Sequence, residues 1–144
     1  MKSFNRITLM LVLVIIALVA AACGGAGGTT GSPTDAAKAF LEGTFKADAA
    51  ALRSVTCEAQ RGEITDEALA QMNEAMTAMG TVDLTGVTYT YNEAAKTVSL
   101  GGEIKATVQG VAVDIPVSSM FADGLPVIEE GGGWRVCPTG GLSG

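Results

Sequence analysis

Three stretches of different hydrophobic periodicity follow one another along the chain. Residues 7–22 (ITLMLVLVIIALVAAA) form an unbroken apolar run, with fifteen apolar side chains and one threonine. From Ser32 to Gly80 apolar residues recur three and four positions apart, as on helices with one buried face. From Thr81 the spacing falls to two, as on strands with one face turned to a core.

The helical stretch carries its own start and stop signals. Ser32 is placed as N-cap, Pro33 at the first helical position and Asp35 at the third. Ala37, Phe40, Leu41, Thr44 and Phe45 then make a single stripe. Asp48 caps a second, short helix carrying Leu52 and Val55 and ending near Cys57, and Gln60-Arg61-Gly62 breaks the pattern. Thr65 caps a third helix, with Asp66, Glu67 and Glu74 along its length and Gly80 in the C′ place. Ile64 and Leu69 stand at the spacing of a hydrophobic staple. The stripe Leu69, Met72, Met76 and Met79 would pack on a sheet; as a rival reading, methionines can line an adaptable ligand groove.

In the strand stretch, Val87, Tyr89 and Tyr91 alternate with threonines up to a turn at Asn92–Lys96. Val98 and Leu100 pair back, Gly101-Gly102 marks a bulge or bend, and Ile104, Ala106 and Val108 resume the alternation. After the tight connection Gln109-Gly110, Val111, Val113, Ile115 and Val117 form the next strand, where Pro116 favours an edge, a bulge or the strand end. Leu125–Ile128 and Trp134–Cys137 make a last hairpin around residues 129–133. Helices first and a meander afterwards predict an α+β domain, with N-terminal helices on one face of a curved antiparallel sheet of about four to six strands.

The apolar run at the front belongs to a different category. Lys2 and Arg6 precede it and Ala20-Ala21-Ala22-Cys23 closes it, the layout of an export signal. Its sixteen residues fall short of the roughly 20 that a membrane-spanning helix needs, although an uncleaved N-terminal anchor is a second reading. The ending resembles the lipobox of bacterial lipoproteins, with Ala20 where that family usually has leucine. The resemblance implies that Cys23 becomes the first mature residue and carries lipid; an ordinary signal cleavage would cut the same bond and leave Cys23 unlipidated. Five glycines in residues 24–31 then make a flexible tether, with a reach of roughly 17 Å for ten residues on Gly-rich chain statistics. The organisation expected is a signal peptide over 1–22, a lipidated cysteine and linker over 23–33, a domain over 34–138 and a loose tail over 139–144.

Charge and cysteine content narrow the function classes. Once residues 1–22 are removed, seven basic side chains face fifteen acidic ones, a net of −8. A chain so acidic, with no basic run, cannot neutralise a series of phosphates, so no nucleic acid partner is expected. The sequence has no histidine, which excludes histidine triads and histidine-ligated metals. No phosphate-cradling or cofactor motif occurs, so no cofactor is expected. With Cys23 lipidated, Cys57 and Cys137 remain, and an even pair outside the cytosol reads as a disulfide.

The phrases Ala39-Phe40-Leu41 … Lys46-Ala47-Asp48 … Leu52 … Cys57 and Glu130-Gly131-Gly132-Gly133-Trp134-Arg135-Val136-Cys137 carry a second resemblance. Together with the element order, they are similar to small bacterial lipoproteins of the nuclear-transport-factor-2-like (ketosteroid-isomerase-like, cystatin-like) superfamily, over roughly residues 33–138. The resemblance implies a cone in which a bent sheet wraps a long helix around a pocket. Enzymatic members project acids, tyrosines or histidines into that pocket, but none of their catalytic patterns falls on this chain with matching spacing.

Three residues stand as pocket candidates. Asp114 interrupts an apolar strand: alternation turns it outward if Val111, Val113, Ile115 and Val117 face the core, and the opposite assignment would make it a desolvated general base. Tyr89 and Tyr91 share a face and read either as a packing platform or as phenol donors to an oxyanion. Glu129 and Glu130 are adjacent and point opposite ways on a strand, a poor dyad. Glu103 and Lys105 read as surface charges. Trp134 is expected in the core beneath the helices, near the Cys57–Cys137 bridge.

These readings converge on a lipoprotein held by Cys23 at the extracytoplasmic face of a bacterial membrane. It would serve as a binding or interaction module for a small apolar ligand or an envelope protein. A small isomerase or dehydratase using a carboxylate or tyrosine, and a structural or inhibitory envelope protein, are the alternatives.

Overall fold

The structure, a computed structural model, describes residues 31–139. The expected leader 1–22, the expected lipidation site Cys23, most of the linker and the end of the tail lie outside the described residues.

Four helices precede the sheet: α1 Pro33–Lys46, α2 Ala49–Val55, α3 Glu58–Arg61 and α4 Asp66–Met79. Each long helix starts where a side chain satisfies a free N–H. Ser32 Oγ accepts from Asp35 N at 3.1 Å, Asp48 Oδ1 from Ala51 N at 3.0 Å, and Thr65 Oγ1 from Ala68 N at 3.1 Å. α1 ends at Ala47 in the left-handed region (φ 49°), whose N–H donates to Thr44 O. That turn delivers Asp48 directly to the start of α2. Arg53 donates to Ile64 O from Nε and Nη2, and from Nη2 to Asp66 Oδ1 at 2.9 Å, so its guanidinium ties α2 to the start of α4. Ile64 and Leu69 are both buried at the staple positions.

One detail departs from the sequence pattern. Gln60 and Arg61 do not break the helical path; they form the one-turn α3, and the break comes at Gly62.

Six strands follow: β1 Val82–Asp83, β2 Val87–Asn92, β3 Thr97–Val108, β4 Val111–Pro116, β5 Leu125–Glu130 and β6 Gly133–Val136, with the single-turn helix α5 Val117–Met120 between β4 and β5. All strand pairs are antiparallel. β3 is the spine: β1 and β2 pair with it, from Val82↔Ala106 to Asn92↔Thr97, and β4 and β5 pair with it as well, with β6 beyond β5. β3 changes partners near Gly102, from β2 to β1 on one side and from β5 to β4 on the other, and Gly102 has a φ of 80°. A Cβ there would collide with the Gly86 carbonyl oxygen, so only glycine allows this approach. The result is the α+β arrangement the pattern implied, helices on a curved antiparallel sheet.

The core joins α1 and α2 to the middle of the sheet. Phe40, Leu41, Leu52, Val98, Ile104, Val117, Val127 and Val136 are essentially inaccessible. Cys57 and Cys137 are joined, with 5.2 Å between their Cα atoms and 80 residues between them in the chain. Cys57 N donates to Val136 O at 2.9 Å, and the Arg135 guanidinium donates to Ser54 O, so the end of α2 is laced to β6. Glu130 accepts from Glu58 N through both carboxylate oxygens at 3.1–3.2 Å, capping α3 from the sheet.

Five readings of the pattern change in the structure. Val117 is not a strand residue: the ladder ends at Pro116, and Val117 opens α5, where it is buried. The last hairpin is tighter than the Gly-rich run suggests. β5 includes Glu129 and Glu130, and Gly131-Gly132, both at positive φ, make the turn alone. Trp134 is only half-buried, packed against the margin of the core rather than within it and edge-on to Tyr91 with ring centroids 5.5 Å apart. Val111 and Val113 do not face a covered core, being 64% and 38% exposed. They share a face with Ile104 and Ala106 of β3; Ile115, farther along β4 on that face, is half-buried against the core, but Val111 and Val113 are left uncovered. The methionine stripe meets a related fate: of α4 only Leu69 is buried, and Met72, Met76 and Met79 are half-buried.

Candidate functional site

Among the described residues a concavity lies between α1 and strands β1 and β2. Its α1 wall is Lys38, Glu42 and Lys46, four residues apart and therefore stacked on one flank of the helix. The facing wall is Val82, Asp83, Leu84 and Thr85, and Val87 and Tyr89 of β2 complete the lining. The groove has a volume of about 500 Å³, within the range that small-molecule sites occupy. It exists because β1 and β2 are not one continuous strand. Asp83 Oδ1 accepts from Thr85 N at 2.9 Å, and Val87 N donates to Leu84 O at 3.1 Å. This turn lifts Leu84 and Thr85 out of the ladder to form the lip.

Charge is arranged around an apolar floor. Lys46 Nζ stands 3.7 Å from Glu42 Oε2, an exposed pair of small energetic value. The Thr85 backbone N–H, then its hydroxyl, and further off the Lys105 ammonium hold the Asp83 carboxyl below the ordinary aspartate range. Tyr89 is pushed up to about 12, chiefly by burial and secondarily by the nearby Glu42 charge. Its phenol therefore stays protonated at neutral pH, able to donate a hydrogen bond and unable to act as a base. Two ammonium groups, two carboxylates and a neutral phenol thus surround Val82, Leu84 and Val87. Such a lining suits a ligand with an apolar body and a polar or zwitterionic end.

The structure does not bring the three pocket candidates together. Tyr89 lines the groove. Tyr91, two residues along β2, instead packs against Trp134, and its hydroxyl is buried without a hydrogen-bond partner. The two phenols therefore do not converge on one point. Asp114 is exposed on β4, directly opposite Lys105 of β3. Lys38, Glu42, Lys46 and Asp83 were not singled out from the sequence. The four-residue spacing beside the α1 stripe and the Asp83-x-Thr85 turn signal were both available there, but neither indicates that helix and turn face each other.

Comparison with protein-family models, with curated proteins and with solved structures finds no match to this chain. Among the described residues, no helix is long and apolar enough to cross a membrane, and no three His, Cys, Asp or Glu side chains gather as a metal site.

Proposed function

We propose that this chain is an extracytoplasmic binding module, tethered to a bacterial membrane through lipid on Cys23, with its ligand held between α1 and the β1–β2 turn. The observation that carries the reading is the groove itself: an apolar floor within a rim of both charge signs, beside a protonated phenol. The compartment is supported by the Cys57–Cys137 bridge, since cytosolic reductants keep such pairs as thiols. The leader, Cys23 and the Gly-rich linker supply the route out and the tether.

The ligand class is a small amphiphile bound by shape and apolar contact, without covalent chemistry. Native mass spectrometry of the protein extracted from membranes tests this. The wild-type chain is expected to carry a small-molecule mass that Leu84→Asp loses while its melting temperature is kept. A chain with no bound mass, or a mass retained in full by Leu84→Asp, counts against the groove. The isomerase or dehydratase alternative draws on Tyr89 as a hydrogen-bond donor in the same groove; Tyr89→Phe distinguishes the two, leaving occupancy in place for a binding module and abolishing turnover for an enzyme.

A further inference from the structure

β4 is an open edge. Its partner is β3, in register from Glu103↔Pro116 to Val108↔Val111, and among the described residues no strand pairs with its other side. The direction of its main-chain groups follows from β3. Thr107 donates its N–H to Thr81 O at 2.9 Å, so the odd-numbered residues of this half of β3 turn their N–H and C=O groups toward β1. Ile104, Ala106 and Val108 therefore turn theirs toward Ile115, Val113 and Val111 of β4. Alternation leaves Ala112, Asp114 and Pro116 pointing outward. Pro116 stands at a place where a missing N–H breaks no ladder bond within the chain. Proteins usually guard such an edge with charged side chains, proline, a bulge or a covering element; β4 has Asp114 in its middle and Pro116 at its end, and no bulge or cover among the described residues. Here residues 111–114 are all exposed, and Val111 and Val113 are bare on the face that elsewhere forms the core.

We propose that β4 is the surface by which two copies of this chain pair, antiparallel and two-fold symmetric about Val113. Outward-pointing residues must meet outward-pointing residues, which leaves few registers. Setting Asp114 against Asp114 of the second copy puts like charges directly opposite, a destabilising arrangement. Centring on Ala112 faces Ile115 with Gln109 of the second copy. Centring on Val113 avoids both. Ala112 and Asp114 of each copy then exchange N–H···O bonds with Asp114 and Ala112 of the other, and Gly110 N–H reaches the Pro116 carbonyl. On the bare face, Val113 meets Val113 and Val111 meets Ile115. On the opposite face each Asp114 lies between Lys105 of its own β3 and the small Ala112 of the second copy, so its charge has an intramolecular counterpart. The sequence of this edge is thus complementary to itself in one register.

That register makes a sharp prediction for cross-linking. At the axis the two Val113 residues form a pair without ladder bonds, where opposed Cβ atoms come within about 4.5–5.5 Å and a disulfide can close. The full chain carrying Val113→Cys, oxidised in its membrane fraction, is expected to run as a reducible dimer of itself. Ala112→Cys, one residue away and opposite Asp114, is expected to cross-link about tenfold less, because the two copies of residue 112 stand diagonally across the axis, beyond disulfide reach. In parallel, Val113→Asp places two carboxylates at the axis and is expected to shift the chain to monomer in sedimentation, with its circular dichroism unchanged. Val113→Cys remaining monomeric, bonding to a different polypeptide, or cross-linking no better than Ala112→Cys would each overturn the proposal.

Discussion

The two halves of β3 follow the same alternation and meet different surroundings. Val98 and Leu100 in the first half, and Ile104 and Ala106 in the second, are all buried on one face. The strands beside them diverge. Next to the first half, β5 contributes Leu125 and Val127 to the core; next to the second, β4 has no buried residue. Val98 is inaccessible, while Val113, a valine on the same face of the same sheet, is 38% exposed. The difference is the roof. α1 packs across β2, β3, β5 and β6, whereas α4 makes its main contacts with β3 and α1. The disulfide and the Arg135–Ser54 contact then fasten the roofed end. Burial here is decided by how far the helices reach, not by how apolar a strand is.

The comparison can be broken at its strongest point first. Replacing both Cys57 and Cys137 by serine frees a loop of 80 residues and is expected to cost about 4–5 kcal/mol on the chain-entropy model. Urea unfolding measures the loss, and hydrogen exchange should rise first in α2 and β6; an equal rise along β4 would mean that the bridge does not fasten one end in particular. Next comes the pair of valines. Val98→Ala opens a cavity in the core and is expected to cost about 2–3 kcal/mol, against roughly 0.5 kcal/mol for Val113→Ala in the monomer. Equal costs would show that β4 is covered in solution.

The smallest effect is a titration. Tyr89 is raised to about 12 in the folded chain, against 10.0 for an ordinary phenol. The folded state keeps a proton that the unfolded state releases, so this contribution is complete below pH 10 and is lost as pH rises through about 12. With two tyrosines in the chain, Tyr91→Phe leaves Tyr89 as the only phenol whose absorbance changes. A midpoint near the ordinary value would mean that water reaches the groove floor freely.

Much of the fold was legible because its signals are local. Ser32, Asp48 and Thr65 satisfy N–H groups three residues away, and the Ile64–Leu69 staple spans one turn, so each is written within a few residues. The Tyr89↔Leu100 and Tyr91↔Val98 pairs follow from a short turn between alternating segments. The errors came where local pattern and tertiary cover disagreed. Val111 and Val113 alternate like core residues, yet no helix extends over them. The candidate site was legible at Tyr89 alone, because Lys38, Glu42 and Lys46 become walls only when α1 lies beside the Asp83–Thr85 turn, more than thirty residues away in the chain.

By itself, then, the sequence determined the order of the three capped helices and the five longer strands, the caps that start those helices, the pairing of Cys57 with Cys137 and the Gly101-Gly102 interruption of β3. These depend on hydrogen bonds and torsions within a few residues, or on simple arithmetic of thiols. Only the tertiary structure decided which apolar face is roofed, which flank of α1 becomes a wall and which strand edge stays open. Those outcomes depend on the lengths and packing directions of helices laid over a curled sheet, which periodicity along one strand does not encode.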